Sequence, residues 1–280
     1  MKFTILTLFP EMFEGFLSES IVKRAIRKDL VDIEIIDVRD FAVDKHGTVD
    51  DRPYGGGAGM VMMVEPIIEA LKKVQMTSSN SQINYNPQVA NNKKFSNFTA
   101  GRRSQISNYT ILTSPRGTVY TQEKAQEYAK LDHVIIIAGH YEGVDERVLD
   151  HVDEEVSIGD YVLTGGELPA AVIVDSIVRL LPGVLKKTES TETESFFTVS
   201  VDELMSVLGE DKLLRDLKKG KVKVVKLLEY PQYTRPHKFG NKEVPDVLLS
   251  GNHKKIHEWQ LKQAYKLTKK NRPDLFLKEI

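Results

Sequence analysis

The chain has 280 residues, no cysteine, and 39 Lys or Arg against 40 Asp or Glu, and 41% of it is hydrophobic. This length can bury a substantial core in one or two domains, and the composition is that of an ordinary globular protein. The absence of cysteine excludes disulfides and thiolate chemistry. No apolar run approaches the roughly 20 residues of a membrane span, and the first residues lack the length and cleavage site of a signal peptide. We therefore expect a cytoplasmic protein with no membrane partner.

The near-zero net charge hides an asymmetry along the chain. Residues 218–280 contain 16 Lys or Arg against 6 Asp or Glu, whereas the other 217 residues contain 23 against 34. A basic C-terminal part on an acidic body indicates either a polyanion partner or a solvated lysine-rich helix. Charge alone does not decide between the two.

The first forty residues predict a strand, helices and a second strand. Residues 2–8 are rich in β-formers, Pro10 opens a helix, and Ser20 is expected to cap another. Residues 31–38 alternate apolar and acidic side chains, which favours a strand. This βαβ pattern predicts an α/β fold with a parallel sheet and helices on both faces.

A glycine-rich loop follows, at Asp50-Asp-Arg-Pro-Tyr-Gly-Gly-Gly-Ala-Gly-Met60. Its spacing fits neither a dinucleotide fingerprint nor a Walker-type loop, because Met60 stands where each needs another residue. We interpret it as a loop that a ligand can approach closely. A helix is predicted over 65–74. The Asn- and Ser-rich stretch 75–110 has four basic residues and no acid, and so predicts either a disordered insertion or, less favoured, a basic arm that touches RNA.

The centre of the chain carries the strongest ligand signal. A strand over 110–114 ends at Pro115-Arg-Gly117, and Thr121 is expected to cap a helix that runs to Lys130. The unbroken apolar run 133–138 is typical of a central parallel strand. Glycine-punctuated loops come next, over 139–147 and 157–169, and an apolar helix is expected over 170–181. Since glycines permit close backbone approach, two such loops beside buried elements predict a ligand pocket.

The C-terminal part holds less chemistry. The polar segment 186–195 predicts a linker. A helix is predicted over 201–219, with Leu204, Leu208, Leu213 and Leu217 among charged residues, and a basic helix over 253–270. His253 and His257 stand four residues apart, but no third metal ligand accompanies them, and a solvated helix face is the favoured interpretation. Since neither a nucleophile elbow nor a zinc-protease motif is present, the sequence argues against a hydrolase or metalloenzyme, and we predict no metal ligands.

Five motifs, taken in order, resemble those of the bacterial tRNA (guanine-N1)-methyltransferases, a family of the knotted SPOUT class. They are Asp51-Arg-Pro-Tyr-Gly-Gly-Gly57, Gly139-His-Tyr-Glu-Gly-Val-Asp-Glu-Arg147, Ser157 to Pro169, Tyr233-Thr-Arg-Pro236 and Ser250-Gly-Asn-His253. The resemblance implies a parallel-sheet SPOUT domain with a deep trefoil knot and a small, mainly α-helical C-terminal domain. It further implies a homodimer with active sites at the dimer interface, S-adenosylmethionine bound in the knot, and methylation of guanine N1 at position 37 of tRNA, in the anticodon stem-loop. It leaves open a role for Mg²⁺ and the choice of tRNAs.

The resemblance also implies the cofactor-binding residues, which fall in three loops. They are Ser114, Pro115, Gly117, Gly139, Tyr141, Gly143, Ser157, Ile158, Gly159, Asp160, Tyr161, Val162, Leu163, Gly165, Gly166 and Pro169.

Three further residues match catalytic positions of the family. Arg179 corresponds to an active-site arginine, and Glu142 to an acid near the methionine end of the cofactor. Guanine N1 carries a proton, so its methylation calls for a base. The family places an aspartate in the linker, where this chain has Glu194; Glu192 is the alternative. An arginine near guanine O6 would stabilise the charge that develops there.

The expected organisation has three parts. Residues 1–185 form the knotted catalytic domain, with a flexible insertion over 77–109, residues 186–226 form a linker with a segment atypical of the family, and residues 227–280 form a basic, helical tRNA-binding domain. Arg116 is a further departure, since glutamine is usual at its position. Two alternative functions stay open, an RNA-binding protein without activity and a ribose 2′-O-methyltransferase of the same class.

Overall fold

The computed structural model describes residues 1–78, 108–185, 194–209 and 211–276. The chain divides into two compact units, Met1–Lys186 and Lys187–Ile280. Most of the predicted insertion over 77–109 lies outside the described residues, while its ends belong to a helix and a strand. No helix in the described part of the chain is long and apolar enough to cross a membrane.

The first unit is an α/β structure, as predicted. Its strands are β1 (Lys2–Thr7), β2 (Asp32–Asp37), β3 (Asp50–Asp51), β4 (Val61–Met62), β5 (Tyr109–Val119), β6 (His133–Ala138) and β7 (Glu154–Ser157). Its helices are α1 (Glu14–Ser18), α2 (Ser20–Arg27), α3 (Val64–Ser78), α4 (Gln122–Tyr128) and α5 (Glu167–Val178), with 3-10 turns at Pro10–Phe13, Val38–Phe41 and Glu146–His151.

Five strands form one parallel sheet in the order β2-β1-β6-β5-β7. The central β6 pairs with β1 on one side and β5 on the other. Val134 and Ile136 face one hydrophobic cluster, while Ile135 and Ile137 face another, and all are fully buried. Because both faces of this strand are covered, its sequence is apolar without alternation. Each buried isoleucine contributes about 1.5–3 kcal/mol of transfer free energy.

Several predicted boundaries differ from the structure. Ser20 is not a cap: Glu19 precedes the helix, and Ser20 begins it with φ of 54°. Thr121 does cap α4, since its hydroxyl accepts a hydrogen bond from the amide of Lys124. The strand expected to end at Ser114 continues to Val119, and the helix expected from Ala170 begins at Glu167.

The second unit has a core of its own. Its elements are β8 (Phe197–Ser200), α6 (Val201–Leu208), α7 (Lys212–Lys219), β9 (Val224–Leu227), β10 (Lys238–Phe239), β11 (Lys242–Glu243), α8 (Asp246–Leu249) and α9 (His253–Asn271), followed by a 3-10 turn at Pro273–Phe276. The helix predicted over 201–219 is therefore two helices, separated at Gly209, where φ is 74°. Asn252 caps α9 by accepting from the amide of Lys255.

Residues 197–226, which were expected to form part of a linker, contribute to this core. β8 pairs antiparallel with β9, and Leu204, Leu214 and Leu227 are fully buried together with Leu261 and Phe276. The polar run 186–195 suggested a linker, but the leucines beyond it pack against α9.

Candidate ligand-binding site

A cavity of about 380 Å³ opens where β6 and β7 end and where β5 is interrupted. Residues from 112–116, 139–146 and 155–169 line it. Since ligands of parallel α/β sheets bind beyond the carboxyl ends of the strands, this is the expected place for a site. The cavity lies within the first unit.

The structure brings together nearly all the residues that were predicted to bind a cofactor. All of them line the cavity except Gly117 and Asp160. Glu142, predicted to lie near the methionine end of the cofactor, lines it too. Five lining residues with polar or charged side chains, all within the described ranges, were not in the predicted set: Thr113, Arg116, His140, Glu146 and Glu155.

The loop 114–117 is an interruption within β5. Pairing of β5 with β7 shifts register between Thr113 and Thr118, so the intervening residues bulge toward the cavity. A Cβ at Gly117 would collide with the backbone of Glu155 and Val156. Gly117 therefore allows β5 to return to β7 after the bulge, and this close approach explains why residue 117 is a glycine.

The second and third loops meet through their glycines. The amide of Gly166 donates to the carbonyl of Gly139 at 2.6 Å, and a Cβ on Gly166 would meet the hydroxyl of Thr113. His140 and Gly165 form an antiparallel bridge beside this contact. The chain that follows β7 thus returns between the ends of β5 and β6.

The glycine-rich loop of the sequence packs beside the same cavity. A Cβ on Gly59 would lie 2.5 Å from the carboxylate of Glu142, so the glycine leaves space for that side chain. The carbonyl of Met60 accepts from the amide of Glu142 at 3.1 Å, and Met62 exchanges further hydrogen bonds with the segment 143–145. Tyr54, at the other end of the loop, is fully exposed.

The charges on the cavity wall are mainly acidic. Arg116 lies 3.1 Å from Glu146 and 3.3 Å from Glu155, and hydrogen bonding to Glu146 together with the charge of Glu155 raises the pKa of Arg116. Glu142 is a third carboxylate on the wall. Among the described residues of the wall, one guanidinium against three carboxylates favours a ligand that carries positive charge.

The two remaining predicted catalytic residues are not on the cavity wall. Half-buried Arg179 follows α5, and its amide donates to the carbonyl of Asp175 at 3.2 Å. Glu194 is half-buried in the second unit, and its carbonyl accepts from the amide of Phe197 at 3.0 Å. Glu192 lies outside the described residues.

No group of three or more His, Asp or Glu side chains in the described ranges is arranged to hold a metal ion. His257 lies 3.1 Å from Glu203, and so takes part in a contact within the second unit.

The fold and the cavity define an α/β protein with a glycine-lined ligand site at the carboxyl edge of a parallel sheet. The family model described as tRNA (Guanine-1)-methyltransferase TrmD matches residues 1–278. The chain belongs to this family. The match includes the segment 197–226, which was expected to be atypical of the family.

Curated relatives match nearly the whole length of this chain. A tRNA (guanine-N(1)-)-methyltransferase of Alkaliphilus metalliredigens is 47% identical over 98% of this chain and 91% of its own. The protein of the same name from Geobacillus kaustophilus is 46% identical over 98% and 91%. Another from Endomicrobium trichonymphae is 42% identical over 99% of this chain and 100% of its own.

Proposed function

We propose that this protein methylates N1 of guanine at position 37 of tRNA, with S-adenosylmethionine as the methyl donor. The observation that carries the proposal is the cavity, whose glycine loops and carboxylates coincide with the motifs that the chain shares with the family. The names of the relatives support the reaction, since each acts on N1 of guanine in tRNA.

The residues of the cavity fit this donor. Main-chain N–H and C=O groups of 139–143 and 158–166 suit the hydrogen-bonding edge of a purine and the hydroxyls of a ribose. The acidic wall, with Glu142, Glu146 and Glu155, suits a cationic sulfonium and an ammonium group. When bound, S-adenosylmethionine supplies an electrophilic methyl group.

The reaction also needs a base and a group that stabilises charge. We assign the first role to the carboxylate of Glu194, which takes the proton from guanine N1, and the second to Arg179, which stabilises the developing negative charge on O6. Mg²⁺ has no assigned place in this proposal.

The trefoil knot and the homodimer are parts of the same proposal. The return of the chain through 158–166 between the ends of β5 and β6 supports the knot, because that segment contacts Gly139 and Thr113. An exposed apolar surface supports the dimer. It comprises Tyr161, Val162, Leu163, Leu168 and Val172, each at least 40% exposed. Such a patch on a folded unit is typical of an interface.

Nucleoside analysis by mass spectrometry tests the proposal. Unmodified tRNA transcripts with guanine at position 37 are incubated with the protein and S-adenosylmethionine, digested and mapped. We expect 1-methylguanosine at position 37, and none in transcripts with adenine there. Methylation of a ribose 2′-hydroxyl would contradict the proposal, and RNA binding without methylation would favour a binding protein instead.

A further inference from the structure

Glu167 is a buried acid to which the proposed reaction assigns no role. Its side chain is 2% exposed, and it is the one acid among the buried residues of the described chain. It begins α5, where the helix dipole favours a negative charge. An ionised carboxylate this deep needs hydrogen-bond donors.

Two side chains supply those donors. The hydroxyl of Thr7, at the end of β1, donates to Oε1 of Glu167 at 2.9 Å. Nδ1 of His140 lies 3.4 Å from Oε2. A carboxylate only accepts, so an ionised Glu167 requires the imidazole proton on Nδ1.

His140 in turn lines the cavity. Its ring packs on Phe9 at 4.6 Å and on Tyr141 at 4.9 Å, and its side chain is 18% exposed. Nε2 has no hydrogen-bond partner within the part of the chain that the structure describes. With Nδ1 engaged by Glu167, Nε2 is the nitrogen left to accept a hydrogen bond from a ligand.

The contact between Glu167 and His140 requires the space that a side chain at Gly165 would fill. A Cβ there would collide with both Oε2 of Glu167 and Nδ1 of His140. The glycine of the third loop therefore leaves space for the contact between acid and imidazole. This explanation is separate from any role of Gly165 in touching a ligand.

We propose that His140 is a ligand-binding residue of the cavity and that Glu167 is its positioning residue. Glu167 fixes the ring orientation and the Nδ1–H tautomer, and Nε2 accepts a hydrogen bond from a hydroxyl or ammonium group of the methyl donor. Carboxylates orient imidazoles in this way in metal sites and in catalytic triads. The inference rests on the proposed function, since it takes the ligand to be S-adenosylmethionine or its product.

Calorimetry with S-adenosylmethionine and S-adenosylhomocysteine tests the pair on the full chain. His140→Asn places its amide near the position of Nδ1 but has no hydrogen-bonding group at the position of Nε2. His140→Gln restores a hydrogen-bonding group at that second position. We expect His140→Asn and Glu167→Gln each to weaken binding about tenfold, with partial recovery in His140→Gln. The double variant His140→Asn, Glu167→Gln should bind no more weakly than His140→Asn alone, because Glu167 acts through the imidazole.

A general loss of structure would behave differently. Tyr128→Phe is the matched control, because it removes a part-buried 2.8 Å hydrogen bond to Glu154, and neither residue lines the cavity. It should lower the melting temperature and leave affinity unchanged. Nitrogen-15 NMR of the imidazoles should show the Nδ1–H form for His140 in the unaltered protein and a mixture in Glu167→Gln.

The outcomes separate the two proposals. If the unaltered protein binds neither ligand, the proposed function fails, and this inference with it. If the unaltered protein binds and the two single variants bind as tightly as it does, only the roles of His140 and Glu167 are wrong. The same holds if the losses of affinity in the two single variants add in the double variant.

Discussion

The amide of Gly166 and the carbonyl of Gly139 are joined by a hydrogen bond of 2.6 Å, which ties two loops of the cavity together. A Cβ at Gly166 would lie 2.7 Å from the amide nitrogen of Gly139 and would also meet Thr113. We expect Gly166→Ala to cost about 1–3 kcal/mol of folding free energy, since backbone must move to accept the methyl group. It should also abolish binding of the methyl donor.

Thermal unfolding and calorimetry check this prediction. Gly15→Ala is the control, because nothing lies within 4 Å of a Cβ at that helical position. It should keep the melting temperature or raise it slightly. Equal stability and affinity in Gly166→Ala would show that the two loops are not held by this contact.

Arg116 offers a test of the cavity's charge. Its side chain is 59% exposed, so loss of its ion pairs in Arg116→Gln should change the unfolding free energy by less than about 1 kcal/mol. Removing this cation from the wall should favour binding of cationic S-adenosylmethionine over neutral S-adenosylhomocysteine by about two- to threefold. Glu142→Gln should shift the ratio of the two dissociation constants the opposite way. A ratio that neither variant moves would rule out the electrostatic explanation.

The buried imidazole ring of His133 should make the free energy of unfolding depend on pH. Burial, with a smaller effect of the charge on Lys2, lowers the pKa of His133 to about 4. The neutral ring fits between Thr4 and Asn108, at 2.9 and 2.8 Å. Since the unfolded value is about 6.5, the unfolded chain binds the extra proton between pH 6.5 and 4. About 3 kcal/mol of stability is therefore present above pH 6.5 and lost as the pH falls toward 4.

Urea unfolding of the unaltered protein and of His133→Gln at pH 7.5, 6 and 5 measures this loss. The variant should be less stable at pH 7.5 and should depend less steeply on pH over that window. Parallel curves would mean that other groups cause the acid sensitivity.

How far the sequence predicts the structure depends on how local the signal is. The apolar run of β6 and the cap at Thr121 are local patterns, and both are confirmed. The continuation of β5 past Gly117 depends on pairing with β7, a contact with residues 38 positions away, which no local pattern encodes.

In the candidate site, too, local patterns could be predicted from the sequence and long-range contacts could not. The glycine loops were visible because close backbone approach requires glycine. The pairing of Arg116 with Glu155, and of His140 with Glu167, depends on which ends of the strands lie side by side. The leucines of α6 and α7 were visible as a pattern, but their partner in α9 was not.

The basic helix α9 should supply tRNA affinity through phosphate contacts. Lys262 and Lys266 are exposed on it. We expect Lys262→Ala and Lys266→Ala each to weaken tRNA binding several-fold for all tRNAs, and to reduce the slope of log K against log salt by about 0.7–0.9. Filter binding at several salt concentrations measures both. Lys72→Ala, on α3 of the first unit, is the control, and identical slopes in all three variants would exclude a role for these lysines.

Glu194 should control the chemical step. Glu194→Gln keeps the shape of the side chain and removes the proposed base, so single-turnover rates should fall by about two to four orders of magnitude. Affinity for tRNA and cofactor should change little. Higher pH should partly restore the variant, because more guanine N1 is then deprotonated, whereas Arg179→Ala should lose rate without that recovery. Glu194→Asp should retain most activity. A near-normal rate in Glu194→Gln would rule out this assignment, and Glu192→Gln would then be tested in the same way.

A crystal structure with S-adenosylhomocysteine tests most directly whether this cavity is the methyl-donor site. We expect electron density for one ligand per chain in the cavity, with the purine against the main chain of 158–163 and the carboxylate of Glu142 near the amino-acid portion. Density at another place on the protein, or an empty cavity in crystals grown at concentrations where calorimetry shows full binding, would contradict this assignment.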